Sequence, residues 1–143
     1  MRPAIVAGSM APKFVNRTVH VSERVEIVSN DKLEAGPPTP GMNRAQAFAK
    51  GDVWVGEVKT DAGVMSGWHH HGEHATYGRV ISGSVKVEFG PGGKETLEAG
   101  EGAYFYMPPH TVHREGNPGD HEHVLTVIRV GTGPTVINVD GPE

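Results

Sequence analysis

From Asp52 onward the chain alternates apolar and polar positions with a period of two, as strands with one buried face do. Val53-Trp54-Val55-Gly56-Glu57-Val58 reads as a first strand, closed by a turn at Asp61-Ala62-Gly63. Val64 to His71 reads as the next, and Tyr77 to Phe89 as two strands bent around Ser82-Gly83-Ser84. Gly90-Pro91-Gly92-Gly93 marks a turn before the short strand Glu95-Thr96-Leu97-Glu98. Ala103 to Met107 supplies another strand, stopped by Pro108-Pro109. Val124 to Val130 is strongly apolar, and Thr135 to Val139 closes the series. Short strands at near-regular spacing, with no helical period between them, predict an antiparallel sandwich or barrel.

The stretch before residue 52 follows other rules. Residues 1–18 read as an arm, and Val19 to Val28 alternates well enough for a strand. Glu34 to Gly41 carries three prolines, which remove donors and fix φ, so it breaks the pattern. Met42 to Lys50 has room for a short helix. The expected organisation is therefore an N-terminal arm with one or two strands (1–51), a β-barrel (52–131) and a C-terminal tail or edge strand (132–143). A strand in the arm exceeds what a minimal barrel requires. Pairing it with the sheet edge of a second copy would cover that edge, and a homodimer is expected.

Composition narrows the function classes. The chain has 143 residues, enough for one domain with a core, and 36% hydrophobic and 21% charged residues suit a globular protein. A formal net charge of -4 gives a nucleic-acid role no electrostatic support. No segment holds the roughly 20 apolar residues that span a bilayer, so no membrane partner is expected. There are no cysteines, which excludes disulfides, thiolate ligands and a cysteine nucleophile. A cytoplasmic location is the expectation.

The chemistry concentrates in His69-His70-His71-Gly72-Glu73-His74, with His113 farther along. In a strand, His69 and His71 leave the same face, whereas His70 points the other way and reads as solvated. Two imidazoles on one face, joined by a third from a later strand, make a starting set for a transition-metal site.

Gly63-x5-His69-x-His71-x4-Thr76-x6-Gly83 resembles the first cupin motif. Gly102-x5-Pro108-x-His110-x2-His113-x3-Asn117 resembles the second. Both occur in order with a short spacer, and the chain is thereby similar to the cupin superfamily, in particular its small single-domain bacterial-type members. The resemblance implies an all-β, double-stranded β-helix or jelly-roll barrel with a divalent metal inside, held by His69, His71 and His113. It also implies a glutamate where this chain has Thr76, and a turn glycine where it has His110.

Threonine is a poor neutral ligand, so three arrangements stay open: a three-His centre with water in the remaining positions, a fourth ligand from His74 or Glu73, or a site without metal. A three-His site keeps the full charge of a divalent ion and suits an anionic or chelating small-molecule substrate such as an enolate, carboxylate or β-diketone. Fe(II) would support a dioxygenase, whereas Zn or Ni would support isomerisation, cyclisation or hydrolysis. Mn is also compatible, because imidazole does not choose among these metals. A non-catalytic small-ligand-binding barrel is the alternative, favoured by Thr76 and by the lack of an obvious general base.

Around this set, Tyr104 and Tyr106 share parity and, with Thr76, are the pocket candidates. Trp68 and Phe105 read as core. Thr76, Gly78 and Val80 share the metal-facing side of their strand, where Gly78 would leave room for a ligand. Arg79 and Arg114 are the basic residues nearest the motifs, with surface salt bridges as their expected role. His110, His121 and His123 read as exposed. Gly63, Gly83 and Gly102 read as turn residues with unusual φ.

Overall fold

The computed structural model describes residues 23–142. Its strands are β1 (Glu34–Ala35), β2 (Asn43–Lys50), β3 (Val53–Thr60), β4 (His69–His70), β5 (Ala75–Ser82), β6 (Ser84–Phe89), β7 (Glu95–Gly100), β8 (Tyr104–Met107), β9 (His113–Gly116), β10 (His123–Val130) and β11 (Ile137–Asn138). They form a six-stranded sheet in the order β1-β2-β3-β10-β5-β8 and a five-stranded sheet in the order β11-β4-β9-β6-β7. Every pairing is antiparallel, and the two sheets face each other as an all-β jelly roll.

The core lies between the sheets. Trp54 and Val58 of β3, Val80 of β5, and Leu125 and Val127 of β10 meet Val85 of β6 there, with Met42 from the segment leading into β2. Each strand contributes alternate residues, which is why the period of two is visible from β3 onward. Gly83 alone carries the chain from β5 into β6, and so from one sheet to the other, at φ +80°. Gly63 (φ +74°) and Gly102 (φ +88°) also occupy the left-handed region expected of them. Asn117, at the end of the second motif, ties its loop by donating to the carbonyls of Thr60 (2.9 Å) and His121 (2.6 Å).

Several expectations are corrected. Met42 to Lys50 is not a helix: Asn43–Lys50 is strand β2, paired with β3. The described part of Val19–Val28, residues 23–28, contains no strand, and the remainder lies outside the described residues. Of Val64 to His71 only His69–His70 is strand, with one isolated bridge from Met65 to Gly116. Gly78 leaves no vacancy. A Cβ there would lie 2.2 Å from Phe105 Cζ, so the cross-strand phenyl ring already fills that space.

Candidate metal centre

His69 sits on β4 directly opposite His113 on β9, so the sheet register itself brings the two rings together, with centroids 4.3 Å apart. His71 follows two residues after His69 and returns to the same face, its ring centroid 5.2 Å from that of His69 and 5.1 Å from that of His113. One ligand nitrogen from each of the three lies within 4.8 Å of the other two, and all three residues are buried.

The orientation of each ring has a local cause. Nδ1 of His69 lies 2.9 Å from the Gly67 carbonyl, Nδ1 of His71 lies 2.8 Å from the Thr135 carbonyl, and Nδ1 of His113 lies 2.8 Å from the Thr111 carbonyl. A carbonyl only accepts, so Nδ1 of His69 and of His113 carries the hydrogen and donates it, which leaves the lone pair on Nε2; Nδ1 of His71 faces both the Thr135 carbonyl and, at 3.1 Å, Arg129 Nε. Such backbone contacts fix the tautomer and angle of metal-ligating histidines. Nε2 of His69 and Nε2 of His113 are buried without a hydrogen-bond partner. Two orphaned, inward-facing lone pairs are costly in an apolar interior and fit a cation bound between them. The donor set therefore suits a divalent transition metal.

Thr76, expected to be a pocket residue, is buried on β5 with its hydroxyl unpartnered. His74 is buried but turned away: its Nδ1 lies 3.2 Å from the His71 carbonyl, and its ring lines a separate surface hollow with Trp54 and Thr135. Glu73 is exposed and lies 3.6 Å from His110 Nε2. His110 is an exposed turn residue at φ +61°, and His121 is exposed beside Asp120. His123 departs from expectation. It is fully buried, with Nδ1 2.8 Å from the Ser84 carbonyl, because the inward series of β10 starts one residue before its apolar run. Tyr104 and Tyr106 stand on the outer face of β8, 77% and 56% exposed, yet both edge a cavity of about 470 Å3 beside the barrel core. Trp68 is half-buried, capped by the Arg114 guanidinium at 4.7 Å from the ring. Arg114 also donates to Glu88 (2.7 Å), the salt bridge expected of it, while Arg79 lies over the exposed Tyr104 ring.

Three buried charged side chains were not singled out by sequence reasoning. Glu115 is buried on β9, lines the cavity, and places Oε1 3.7 Å from His113 Nε2. Burial alone would raise its pKa, but His113, His69 and Arg44 draw it down to about 2. Its spacing from His113, two residues along a strand, was the available signal. Arg129 is buried on β10 with its Nε 3.1 Å from His71 Nδ1 and its guanidinium 5.2 Å from the Trp54 ring centre. Burial and the charge of Arg44 push its pKa down to about 9. Arg44, buried on β2, donates to the Pro37 carbonyl (2.9 Å) and to the Thr39 hydroxyl (2.7 Å). Burial lowers His69 to about 3, with smaller contributions from His113 and Arg44, and lowers His71 further still, with Arg129 next in weight. Both imidazoles are thereby kept neutral, the form that binds metal.

The cupin domain family matches residues 56–129, just over half of the chain, and the chain belongs to that family. Its fold is similar to an uncharacterized double-stranded β-helix protein from Klebsiella pneumoniae, with a TM-score of 0.66 and 18% identity over 82% of this chain and 99% of that one. It is also similar to KdgF from Halomonas sp., with a TM-score of 0.60 and 24% identity over 76% and 96% of the two chains. An oxalate decarboxylase from Bacillus subtilis gives a TM-score of 0.63 and 20% identity over 74% of this chain and 30% of that one. At these identities the likeness is one of fold. No curated protein matches the sequence. Among the described residues no helix is long and apolar enough to cross a membrane.

Proposed function

We propose that this cupin holds one divalent transition-metal ion on the Nε2 atoms of His69, His71 and His113, and acts on a small molecule that reaches the ion from the neighbouring cavity. The observation that carries the reading is the convergence of three buried imidazoles, each steered by a backbone carbonyl, two of them with Nε2 unpartnered. Three protein ligands leave positions open for a substrate. A bound divalent ion would supply Lewis-acid polarisation of a substrate oxygen, or redox chemistry if it is iron. The chain's own part is to hold the His69 and His71 imidazoles neutral, to offer the Glu115 carboxylate beside His113, and to line the neighbouring cavity with Phe105, Met107 and the aliphatic residues of β6.

The test is elemental analysis of untagged protein. About one equivalent of Fe, Zn, Ni or Mn per chain is expected, falling below about a tenth in H69A, H71A and H113A. Less than about a tenth in the unaltered protein favours the second reading, a non-catalytic small-ligand-binding barrel, which the neutral Thr76 in the carboxylate position supports. Self-association as a homodimer and a reducing cytoplasmic setting, in keeping with the absence of cysteine, belong to the same proposal. A monomeric mass by light scattering would remove the dimer from it.

A further inference from the structure

The outer face of the six-stranded sheet carries an apolar stripe that the barrel core does not use. Register sets Val55, Ile128, Tyr77 and Tyr106 side by side across β3, β10, β5 and β8. All four point outward, because their chain neighbours Trp54, Val127, Thr76 and Met107 are buried. Ile128, Tyr77 and Tyr106 are exposed, and the cross-strand pair Val53 and Val130 extends the exposed stripe by one row. Single apolar residues are ordinary on a surface, whereas a contiguous patch of them marks an interaction site.

The next row on the same face is charged at two places. Glu57, Thr126 and Arg79 follow one another across β3, β10 and β5. Arg79 is exposed, Glu57 is half-buried, and neither takes part in a salt bridge among the described residues. Two strand spacings, about 10 Å, keep them apart within one chain. Strand β10 lies midway between them. A two-fold axis laid over β10 and parallel to it therefore sets Glu57 of one copy against Arg79 of the other, twice. The same axis sets Val55 against Tyr77, and Ile128 against its own counterpart. The face is thus complementary to itself in charge and in apolarity, as an isologous contact requires.

Its extent is also suitable. Strands β3, β5 and β10 have eight residues each, about 26 Å, and the five strands β2 to β8 of this sheet make it roughly 20 Å wide. That is roughly 500 Å2 in plan, and side-chain relief brings it toward the roughly 800 Å2 that each partner gives to a standard interface.

We propose that a second copy of this chain docks on this face, sheet against sheet, with Glu57 and Arg79 paired reciprocally across the two-fold axis. This deepens the homodimer reading above and rests on it, placing the contact on a sheet face rather than on an edge strand. It is independent of the metal centre.

The test is sedimentation equilibrium on the full chain. The unaltered protein should be a dimer at micromolar concentration. R79E sets glutamate against glutamate at both ends of the contact and should weaken association by at least about tenfold. E57R/R79E exchanges the charges and should recover most of that loss. I128K brings two lysines together on the axis and should give monomer. The chain has no cysteine, so T126C carries a single thiol beside the axis. A short bismaleimide should join two T126C chains far faster than two chains of T96C, whose thiol stands on exposed β7. That comparison decides if the charge variants fail to fold. Association indifferent to R79E and I128K, a charge exchange as weak as R79E, or equal cross-linking of T126C and T96C overturns the inference and leaves the homodimer reading in place. A monomeric unaltered chain sinks the homodimer reading, and this inference with it. If the T126C thiol of such a monomer resists the reagent, the cover belongs to the same chain, outside residues 23–142.

Discussion

Arg129 Nε lies 3.1 Å from His71 Nδ1, and the Thr135 carbonyl lies 2.8 Å from that same nitrogen. Nδ1 cannot accept from the guanidinium and donate to the carbonyl at once, so the two neighbours select opposite tautomers of His71. With the hydrogen on Nδ1, the Thr135 contact forms and Nε2 keeps its lone pair, with an Arg129 guanidinium nitrogen 3.4 Å from it; with it on Nε2, Nδ1 accepts from Arg129 Nε instead. A metal on Nε2 would settle the choice in favour of Thr135 and leave Arg129 as a cation pressed against a ligand. That cation opposes protonation of the ring. Replacing it by the uncharged, similarly long methionine (R129M) should make His71 easier to protonate. The pH at which bound metal is released on acidification should then rise by roughly half a unit or more. A release midpoint that stays put, followed with a chromogenic chelator, would show that the contact has no electrostatic weight.

Thr76 is buried on β5, with Arg129 as its cross-strand partner on β10. A glutamate at this position would supply the carboxylate that the first motif ordinarily provides. T76E is expected to tighten Zn(II) binding by at least roughly tenfold, the scale on which even outer-shell partners of a metal act. It should also lower the metal-free unfolding free energy by about 1–3 kcal/mol, because a buried carboxylate without the ion loses hydration. Competition with a chelator and urea denaturation would measure the two effects separately.

The metal-free protein should be acid-sensitive. In the unfolded chain the histidines take up a proton near pH 6.5, whereas buried His69 does so only near pH 3 and His71 lower still. Between those values the unfolded state binds more protons, so stability falls as pH falls, by about 1.4 kcal/mol per pH unit for each of the two. Glu115 acts in the same direction: its folded pKa of about 2 lies below the ordinary 4.5, so its contribution is present above 4.5 and lost on acidification toward 2. The urea midpoint of metal-free protein should therefore drop between pH 7 and pH 5. A flat profile over that interval would mean that the imidazoles are more hydrated than their burial implies.

The Gly78–Phe105 contact predicts a packing defect that can be rescued. G78A places a methyl group in the ring of Phe105 and should destabilise the fold by about 2 kcal/mol or more. F105A alone should cost about 3–5 kcal/mol through the void it leaves. The double variant should cost less than the sum by about 1 kcal/mol or more, since each change relieves the other. Strict additivity in a denaturation cycle would exclude the contact.

Strands β3, β5 and β10 were legible because each turns alternate residues inward, whereas β9 (His113–Gly116) was not read as a strand and β4 keeps only two residues of Val64–His71. Strand β2 was not legible, because its register with β3 shifts between Gln46 and Phe48 and interrupts the period of two over Asn43–Lys50. That misreading also hid Arg44, whose inward position follows only from a strand. His69, His71 and His113 were legible through motif spacing, and the register that pairs His69 with His113 brings them together. Arg129 was missed because an apolar run reads as core, although its inward parity with Leu125 and Val127 was present in the sequence. Glu115 was not legible because it lies inside the second motif, between His113 and Asn117, whereas the missing carboxylate belongs to the first. The burial of His123 could not be read without knowing that Ser84, far away in sequence, supplies its partner carbonyl.

The carbonyl that orients His71 belongs to Thr135, downstream of β10, and β11 beyond it docks on β4 through Ile137 and Asn138. During synthesis every ligand histidine therefore emerges before the segment that aims one of them. A nascent chain that has already paired its two main sheets would still present His71 with its ring unset, and only docking of the later segment would complete the aim. If the three histidines hold an ion as proposed, its capture would wait for the end of folding, and the half-built barrel would be protected from closing around a metal in the wrong geometry.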